Sequence, residues 1–382
     1  MFSIFDYQMM QRALELAERG IYTTTPNPNV GCVITQDNKI VGEGFHYRAG
    51  EPHAEVHALR AARERAAGAI VYVTLEPCSH VGRTPPCSDA LIEARVNRVV
   101  CAMVDPNPEV SGCGIQCLRD AGIQVDVGLR QVQAEKLNLG FIKVMQTGLP
   151  YVQLKLASSL DGRTALSNGQ SKWITGTEAR ADVQKFRAKT GAILSTSKTV
   201  LEDDPSLNVR WKLLPVEVQS QYDEASLRQP VRVILDRKCS IPTSSHLFTL
   251  PGHIIILTSK NEPSTRNYLI SQRERFFEKD NVEVMTISNV EKGLDLNMAM
   301  QMLARKGINH IWVEAGATFS GSLLEADLVD ELIVYQAPKL MGVDSRGLVN
   351  ISGFTAMEQV LTFTLTDVHR LGNDIRIRMQ RP

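Results

Sequence analysis

The sequence has no excess of charge of either sign: 42 Lys and Arg stand against 42 Asp and Glu in 382 residues. The first 147 residues keep this balance, with 14 basic and 16 acidic side chains. Polyanion binding leaves a basic footprint, so neither part of the chain is composed to hold nucleic acid. No stretch reaches the ~18 uninterrupted apolar residues of a membrane span. The opening residues Met1 to Asp6 lack the basic flank and apolar centre of a secretory leader. The expectation is a cytoplasmic protein with no membrane partner. Internal repeats, low-complexity tracts and the G-x-G-x-x-G dinucleotide fingerprint are all missing, so a Rossmann domain is not indicated. What is present is ordinary globular composition, 43% hydrophobic and 22% charged, which excludes general disorder. The seven cysteines are an odd number in a large chain and read as buried thiols or metal ligands, not as a disulfide framework.

At roughly 150 residues per domain, the length suggests two domains or three small ones. Apolar residues at helical spacing predict a helix over Asp6–Arg19, stopped by Gly20. A Thr/Pro/Asn loop leads to strands at Val30–Thr35 and Lys39–Phe45. An Ala-, Arg- and Glu-rich helix spans His53–Ala67. Further strands are expected at Ile70–Leu75, Arg98–Val104 and Ile123–Val127, with helices at Ser88–Ala94, Gln116–Ala121 and Ala134–Met145. Gly148-Leu149-Pro150 marks the boundary between domains 1–148 and 149–382. A second alternation follows, with strands at Tyr151–Ala157, Ala192–Ser195, Val231–Asp236, His253–Thr258, Val282–Ile287, His310–Glu314 and Glu331–Ala337. Helices are expected at Thr177–Lys189, Leu294–Lys306 and Thr318–Glu325. Trp211–Pro230 reads as a polar surface excursion. Both halves are therefore α/β.

The sharpest constellation is His53-Ala54-Glu55, followed by Pro77-Cys78 and Cys87. One imidazole and two thiolates suit Zn2+ and leave one tetrahedral position for water. The metal lowers the pKa of that water. Glu55, two residues past His53 at a helix start, stands beside the metal as the catalytic proton carrier. A protease-like pair of His53 and His57 is disfavoured, because that motif places Glu directly after the first His. Two alternatives stay open: another nucleobase or nucleic-acid deaminase, and a zinc-stabilised binding module completed by Cys101 or His80.

Zinc nucleobase deaminases generally separate their two cysteines by two residues. Here eight intervene, in Cys78-Ser-His-Val-Gly-Arg-Thr-Pro-Pro-Cys87. With Thr23-Thr-Thr-Pro-Asn-Pro-Asn-Val-Gly-Cys32, Gly50-Glu-Pro-His-Ala-Glu-Val-His57, Asp105-Pro-Asn-Pro108 and Gly112-Cys-Gly114, this insert resembles the deaminase domain of the bifunctional riboflavin-biosynthesis deaminase/reductases. The resemblance covers residues 5–145 and implies a cytidine-deaminase-like αβα sandwich. It also implies substrate contacts at Asn27, His46 and Arg83, the last suited to a phosphate.

The second half carries Lys155-Leu-Ala157-Ser-Ser-Leu-Asp-Gly162, Ser171-Lys-Trp173, Arg187, Thr199-Val-Leu-Glu-Asp203, Leu207, Arg210 and Trp312-Val-Glu-Ala-Gly316 before Thr318-Phe-Ser-Gly-Ser322. A small, Gly-containing turn into a helix brings backbone N–H groups towards an anion. This half resembles the reductase domain of the same family, a dihydrofolate-reductase-like α/β fold, from about Leu149 to Arg346. The resemblance implies NADPH contacts at Ala157, Trp173, Thr199, Asp203 and the run Gly316, Ala317, Thr318, Phe319, Ser320, Gly321 and Ser322. It implies substrate contacts at Ser171, Arg187, Leu207, Arg210 and Glu314. Arg187 and Arg210 suit a bidentate phosphate clamp, and Lys155 suits sugar hydroxyls. Arg237 is assigned to the cofactor side, with the 2′-phosphate of NADPH and solvent as its two alternatives. Two steps are thereby expected: hydrolytic deamination of 2,5-diamino-6-ribosylamino-4(3H)-pyrimidinone 5′-phosphate, then NADPH reduction of the ribosyl chain to ribityl. The expected partners are this small phosphorylated pyrimidine and a second copy of the chain, in a dimer.

Overall fold

The structure is a computed structural model that describes residues 1–79, 85–108, 110–259, 281–291 and 293–382. The chain divides into two units, Met1–Gly148 and Leu149–Pro382. No helix among the described residues is long and apolar enough to cross a membrane.

In the first unit, helix Ile4–Glu18 opens with a reciprocal cap, in which Ser3 and Asp6 satisfy each other's backbone N–H. Five strands follow in the order Lys39–Phe45, Gly31–Gln36, Ile70–Val73, Arg98–Cys101, Gln124–Val127. The first two junctions are antiparallel and the last two parallel. Glycines let helices lie close on the sheet. A Cβ at Gly31 would come 1.9 Å from the Ala13 carbonyl, whereas one at Gly44 would come 2.4 Å from that of Ala54. Gly44 pairs with Cys32, so the two contacts fall on opposite faces, and the unit is an αβα sandwich. This contact seats helix Ala54–Ala62, whose start carries His53 and Glu55.

The helix expected over Ala134–Met145 is two helices, Gln131–Leu137 and Leu139–Thr147, broken at Asn138. The buried Asn138 side chain accepts from Asn29 N–H (2.7 Å) and donates to the Asn29 carbonyl (3.0 Å). That pairing fixes the Thr/Pro/Asn loop, and Asn138 leaves helical geometry to make it.

The second unit is built on a nine-stranded sheet. Its order is Val282–Ile287, Ile254–Ser259, Val231–Leu235, Ala192–Thr196, His310–Glu314, Tyr151–Ser159, Glu331–Ala337, Asp374–Gln380, Thr364–Leu371. The first seven strands are parallel, and the last two form an antiparallel edge. Apolar side chains bury both faces, with Leu154, Val313 and Leu194 on one and Trp312, Ile193 and Ile333 on the other. The closing hairpin was not expected from sequence. Its cue is the two-residue Gly372-Asn373 link between alternating runs. Trp211–Pro230 is no loose excursion either. It contains helix Val216–Gln221, buries Leu214 and Val218, and ties back through Gln229 to Val209 N–H (2.9 Å).

Candidate functional site

His53 stands at the N-cap of helix Ala54–Ala62, where its extended backbone turns the imidazole off the helix end. Cys78 follows strand Ile70–Val73, and Cys87 opens helix Cys87–Glu93. These three segments bring His53 Nδ1 to 3.5 Å from Cys78 Sγ and 3.4 Å from Cys87 Sγ. All three donor atoms lie within 4.8 Å of one another. Cys78 Sγ also accepts the Cys87 backbone N–H at 3.4 Å. The Cys78 thiol is held well below its ordinary value by the Cys87 thiol and by His53, while Cys87 is pushed up by Cys78 and by burial. Cys78 in turn raises His53.

Glu55 lies in the first turn of this helix, 3% exposed, and burial pushes its carboxyl up to about 7. Its Oε2 is buried without a hydrogen-bond partner, a costly state unless something at the site engages it. Two thiols, an imidazole and an orphaned carboxylate oxygen beside them fit a three-ligand zinc ion with a water in the fourth position. Among the described residues no further His, Cys, Asp or Glu joins the cluster, and His80 lies outside them. Cys101 is fully buried at a strand end and is not a member.

His46 is buried edge-on to His53, with ring centroids 5.5 Å apart. Its Nδ1 faces the Pro52 carbonyl (3.2 Å) and its Nε2 faces Asn27 Nδ2 (3.1 Å). Burial pushes this imidazole below its usual value. A neutral ring then donates from Nδ1 to Pro52 and accepts at Nε2 from the Asn27 amide. Asn27, His46 and the donor set are thus one connected neighbourhood, whereas Arg83 lies outside the described residues.

The second unit gathers its candidates at the carboxyl ends of neighbouring parallel strands, the usual place for a ligand crevice in such a sheet. Lys155 pairs with Glu314 across the His310–Glu314 and Tyr151–Ser159 strands, and Ala157 follows on the same face. Thr199 lies in helix Ser197–Asp203, directly after strand Ala192–Thr196, and the Thr196 side chain caps it. Arg237 is exposed just past strand Val231–Leu235. Trp173 is 63% exposed, with Arg180 stacked 4.7 Å over its ring, and Lys172 beside it pairs with Asp203 at 3.3 Å. Ser171 precedes them, half-buried.

Two groups make contacts that local sequence does not announce. Arg187, expected with Arg210 as a phosphate clamp, reaches from helix Thr177–Lys189 to Glu314 in a bidentate pair (2.6 and 2.8 Å), and its Nη1 donates to the Asn208 carbonyl (2.8 Å). Trp312 Nε1 donates to the same carboxylate at 2.8 Å. Burial alone would raise Glu314, but Arg187, Lys155 and Trp312 hold it down at about 2. Leu207 is buried with a left-handed backbone (φ 45°), while Arg210 is exposed. The run Gly316–Ser322 likewise does not present one surface. It is wound into helix Ala317–Glu325, so Ser320 and Gly321 are buried and Phe319 packs on the core. A Cβ at Gly321 would meet the Asn350 carbonyl at 2.0 Å, so this glycine serves backbone packing. Gly316, Ala317 and Thr318 remain at the open helix start, which has no side-chain cap and therefore fits a phosphate group. Sequence reasoning placed Trp312 in the strand-end motif but gave it no role, since its apolar context gave no sign of its bond to Glu314. It passed over Glu76, an acidic residue directly before Pro77-Cys78.

The comparisons with known proteins agree with this division. Residues 4–103 match the cytidine and deoxycytidylate deaminase zinc-binding region, and residues 150–377 match the RibD C-terminal domain. The riboflavin biosynthesis protein RibD of Haemophilus influenzae is 50% identical over 376 residues, covering 98% of this chain and 97% of that protein. The Escherichia coli protein of the same name is also 50% identical, covering 98% of this chain and 99% of that protein. Among solved structures, Acinetobacter baumannii RibD superposes with a TM-score of 0.88 at 44% identity, covering 99% of each chain. A Thermotoga maritima diaminohydroxyphosphoribosylaminopyrimidine deaminase/5-amino-6-(5-phosphoribosylamino)uracil reductase does so at 0.82 and 31%, again covering 99% of each. With a zinc-type donor set in one unit, a parallel sheet matching the RibD C-terminal domain in the other and full-length relatives at half identity, the chain belongs to the RibD family of bifunctional deaminase/reductases of riboflavin biosynthesis.

Proposed function

We propose that the first unit deaminates 2,5-diamino-6-ribosylamino-4(3H)-pyrimidinone 5′-phosphate and that the second reduces the product with NADPH. The observation that carries the first half is the His53–Cys78–Cys87 triad with the orphaned Glu55 oxygen beside it. Zinc held there would supply an activated water near neutral pH. His53, Cys78 and Cys87 would hold it, and Glu55 would carry two protons in turn, the first from the water to the ring nitrogen and the second from the newly added hydroxyl to the amine that leaves as ammonia. His46 orients Asn27 through Nε2, leaving the Asn27 carbonyl oxygen to accept from the pyrimidine. Arg83 neutralises the phosphate.

In the second unit, bound NADPH supplies the hydride. Gly316, Ala317 and Thr318 offer helix-start N–H groups to its phosphates, and Ala157, Trp173, Thr199, Asp203 and Arg237 line its path. Ser171, Lys155, Leu207 and Arg210 face the sugar phosphate. Arg187 holds Glu314 ionised and oriented for a sugar hydroxyl, a positioning role and not a phosphate contact. We place this enzyme in the cytoplasm as a dimer. Edge strand Thr364–Leu371, with Leu365 60% and Val368 55% exposed, supports a second copy as its partner. Light scattering reporting a monomer at assay concentrations would remove the dimer.

One assay tests the function directly. With the diaminopyrimidine phosphate supplied, ammonia release should precede NADPH oxidation, with one NADPH consumed per ammonia. NADPH oxidation without ammonia release would overturn the proposed order.

A further inference from the structure

Glu76 lies two residues ahead of Cys78, 5% exposed, and its carboxylate accepts four backbone N–H bonds. Oε2 takes those of Asp105 (3.0 Å) and Gly112 (2.9 Å). Oε1 takes those of Gly114 (2.8 Å) and Ile115 (3.2 Å). The donors come from two places, the turn after strand Arg98–Cys101 and the start of helix Cys113–Asp120. A helix start leaves its first N–H groups without intrahelical partners and carries partial positive charge. This helix has no side-chain cap of its own at Gly112, so Glu76 caps it from a distant segment.

The contact is close. A Cβ at Gly114 would sit 1.9 Å from the Pro77 carbonyl oxygen, so the helix start rests on the peptide that leads into Cys78. On its other sides the segment is held by Glu76 N–H to the Met103 carbonyl (3.0 Å) and by Ser88 N–H to the Cys78 carbonyl (3.1 Å). Glu76 is outside the donor set itself. A buried carboxylate is costly unless fully hydrogen-bonded, and a neutral side chain would pack there more cheaply. Only a carboxylate offers acceptor sites, with no donor, to four N–H groups at once.

We propose that Glu76 is the positioning residue of the metal centre. It fixes the Glu76-Pro77-Cys78 segment so that Cys78 Sγ meets His53 and Cys87, and it ties that geometry to the start of helix Cys113–Asp120. The proposal rests on reading His53, Cys78 and Cys87 as zinc ligands. Groups that orient metal ligands typically change metal affinity 10- to 100-fold when removed.

The test uses the full-length zinc-loaded protein and its cobalt-substituted form. Glu76→Gln keeps the side-chain size but turns an NH2 towards two of the four donors. It should lose zinc to a chelator about 10- to 100-fold faster. Its thiolate-to-cobalt absorption band should shift and weaken, while NADPH-dependent reduction of supplied deaminated substrate stays at the wild-type rate. Gly114→Ala, pressing on the same Pro77 carbonyl, should move the same two readouts. Should Glu76→Gln fail to fold its own unit, Glu76→Asp, with shorter reach to the same donors, carries the test. Wild-type zinc release and a wild-type cobalt spectrum in these variants would overturn the proposal, even with a lowered melting temperature, since Glu76 would then only stabilise the helix. If the wild-type protein itself gave no thiolate–cobalt band, the ligand assignment would fail instead.

Discussion

In the first unit three donor atoms from three segments converge within 4.8 Å around one point. In the second, the candidate residues are spread along the carboxyl ends of neighbouring strands, and their most intimate contact is with one another, Arg187 on Glu314. The difference follows from what each site must hold. A metal needs few ligands of the right chemical type, so residue identity defines the site. An extended cofactor and a sugar phosphate need backbone N–H groups, small residues and oriented charges, so register and helix starts define it. The first site should therefore fail sharply when one atom changes, and the second should yield by degrees.

The largest expected effect is Cys78→Ser. With one thiolate gone, the protein should lose its zinc and all measurable deamination, while NADPH-dependent reduction of supplied deaminated substrate continues unchanged. Metal analysis alongside the two assays checks it. If reduction also vanished in a folded protein, the two sites would not be separable as the contrast requires. Next comes Glu55→Gln. It should retain zinc yet lose deamination by about 10²-fold or more, the usual size of a proton-transfer contribution. A Gln variant with near-normal turnover would remove Glu55 from the chemistry.

On the reductase side the corresponding break is graded. Glu314→Gln leaves Arg187 buried without its counter-charge and should destabilise the second unit by about 3 kcal/mol, read by chemical denaturation. Replacing both partners, Arg187→Met with Glu314→Leu, should recover only part of that loss: no guanidinium is then left unpaired, but Lys155 still loses its counter-charge and Trp312 Nε1 its acceptor. The pair also predicts a pH window. Glu314 is held at about 2, below its ordinary value of 4.5. A carboxyl depressed on folding stabilises the protein above its unfolded value and loses that stabilisation as pH falls from about 4.5 towards 2. Acid titration of the wild type should show this loss, and Glu314→Gln should flatten it. An unchanged acid profile in the variant would show that the pair is not the linkage.

The same contrast explains what could be read before the fold was known. The convergence of His53, Cys78 and Cys87 was legible because soft-ligand types at those spacings have few other uses. The strand–helix alternation of both units was legible from periodicity, since each sheet buries its strands. The Arg187–Glu314 pair was hidden because the partner lies 127 residues away on another element, and nothing local announces a bidentate pair. The break at Asn138 was hidden for the same reason, since a helical pattern runs through it and its cause is Asn29, 109 residues earlier. The packing need at Gly321 was equally hidden, because a glycine required by backbone packing looks the same in sequence as one beside a cofactor.

The smallest expected effect separates the two arginines that sequence reasoning joined. Arg187 spends Nε and Nη2 on Glu314 and Nη1 on Asn208, leaving little of its fork for a phosphate. Arg210 differs: its backbone N–H is fixed on Gln184 Oε1 at 2.9 Å, while its side chain is exposed. A charge-assisted bond to phosphate contributes about 1.5–3 kcal/mol. Arg210→Ala should therefore raise KM for the phosphorylated substrate about tenfold or more, with kcat and the melting temperature unchanged. Arg210→Lys, which keeps the charge but not the fork, should fall between. Steady-state kinetics on both variants, beside Arg187→Met, decide the matter. If Arg210→Ala left KM unchanged while Arg187→Met raised it without loss of stability, the phosphate would belong to Arg187, and the second site would be a clamp after all.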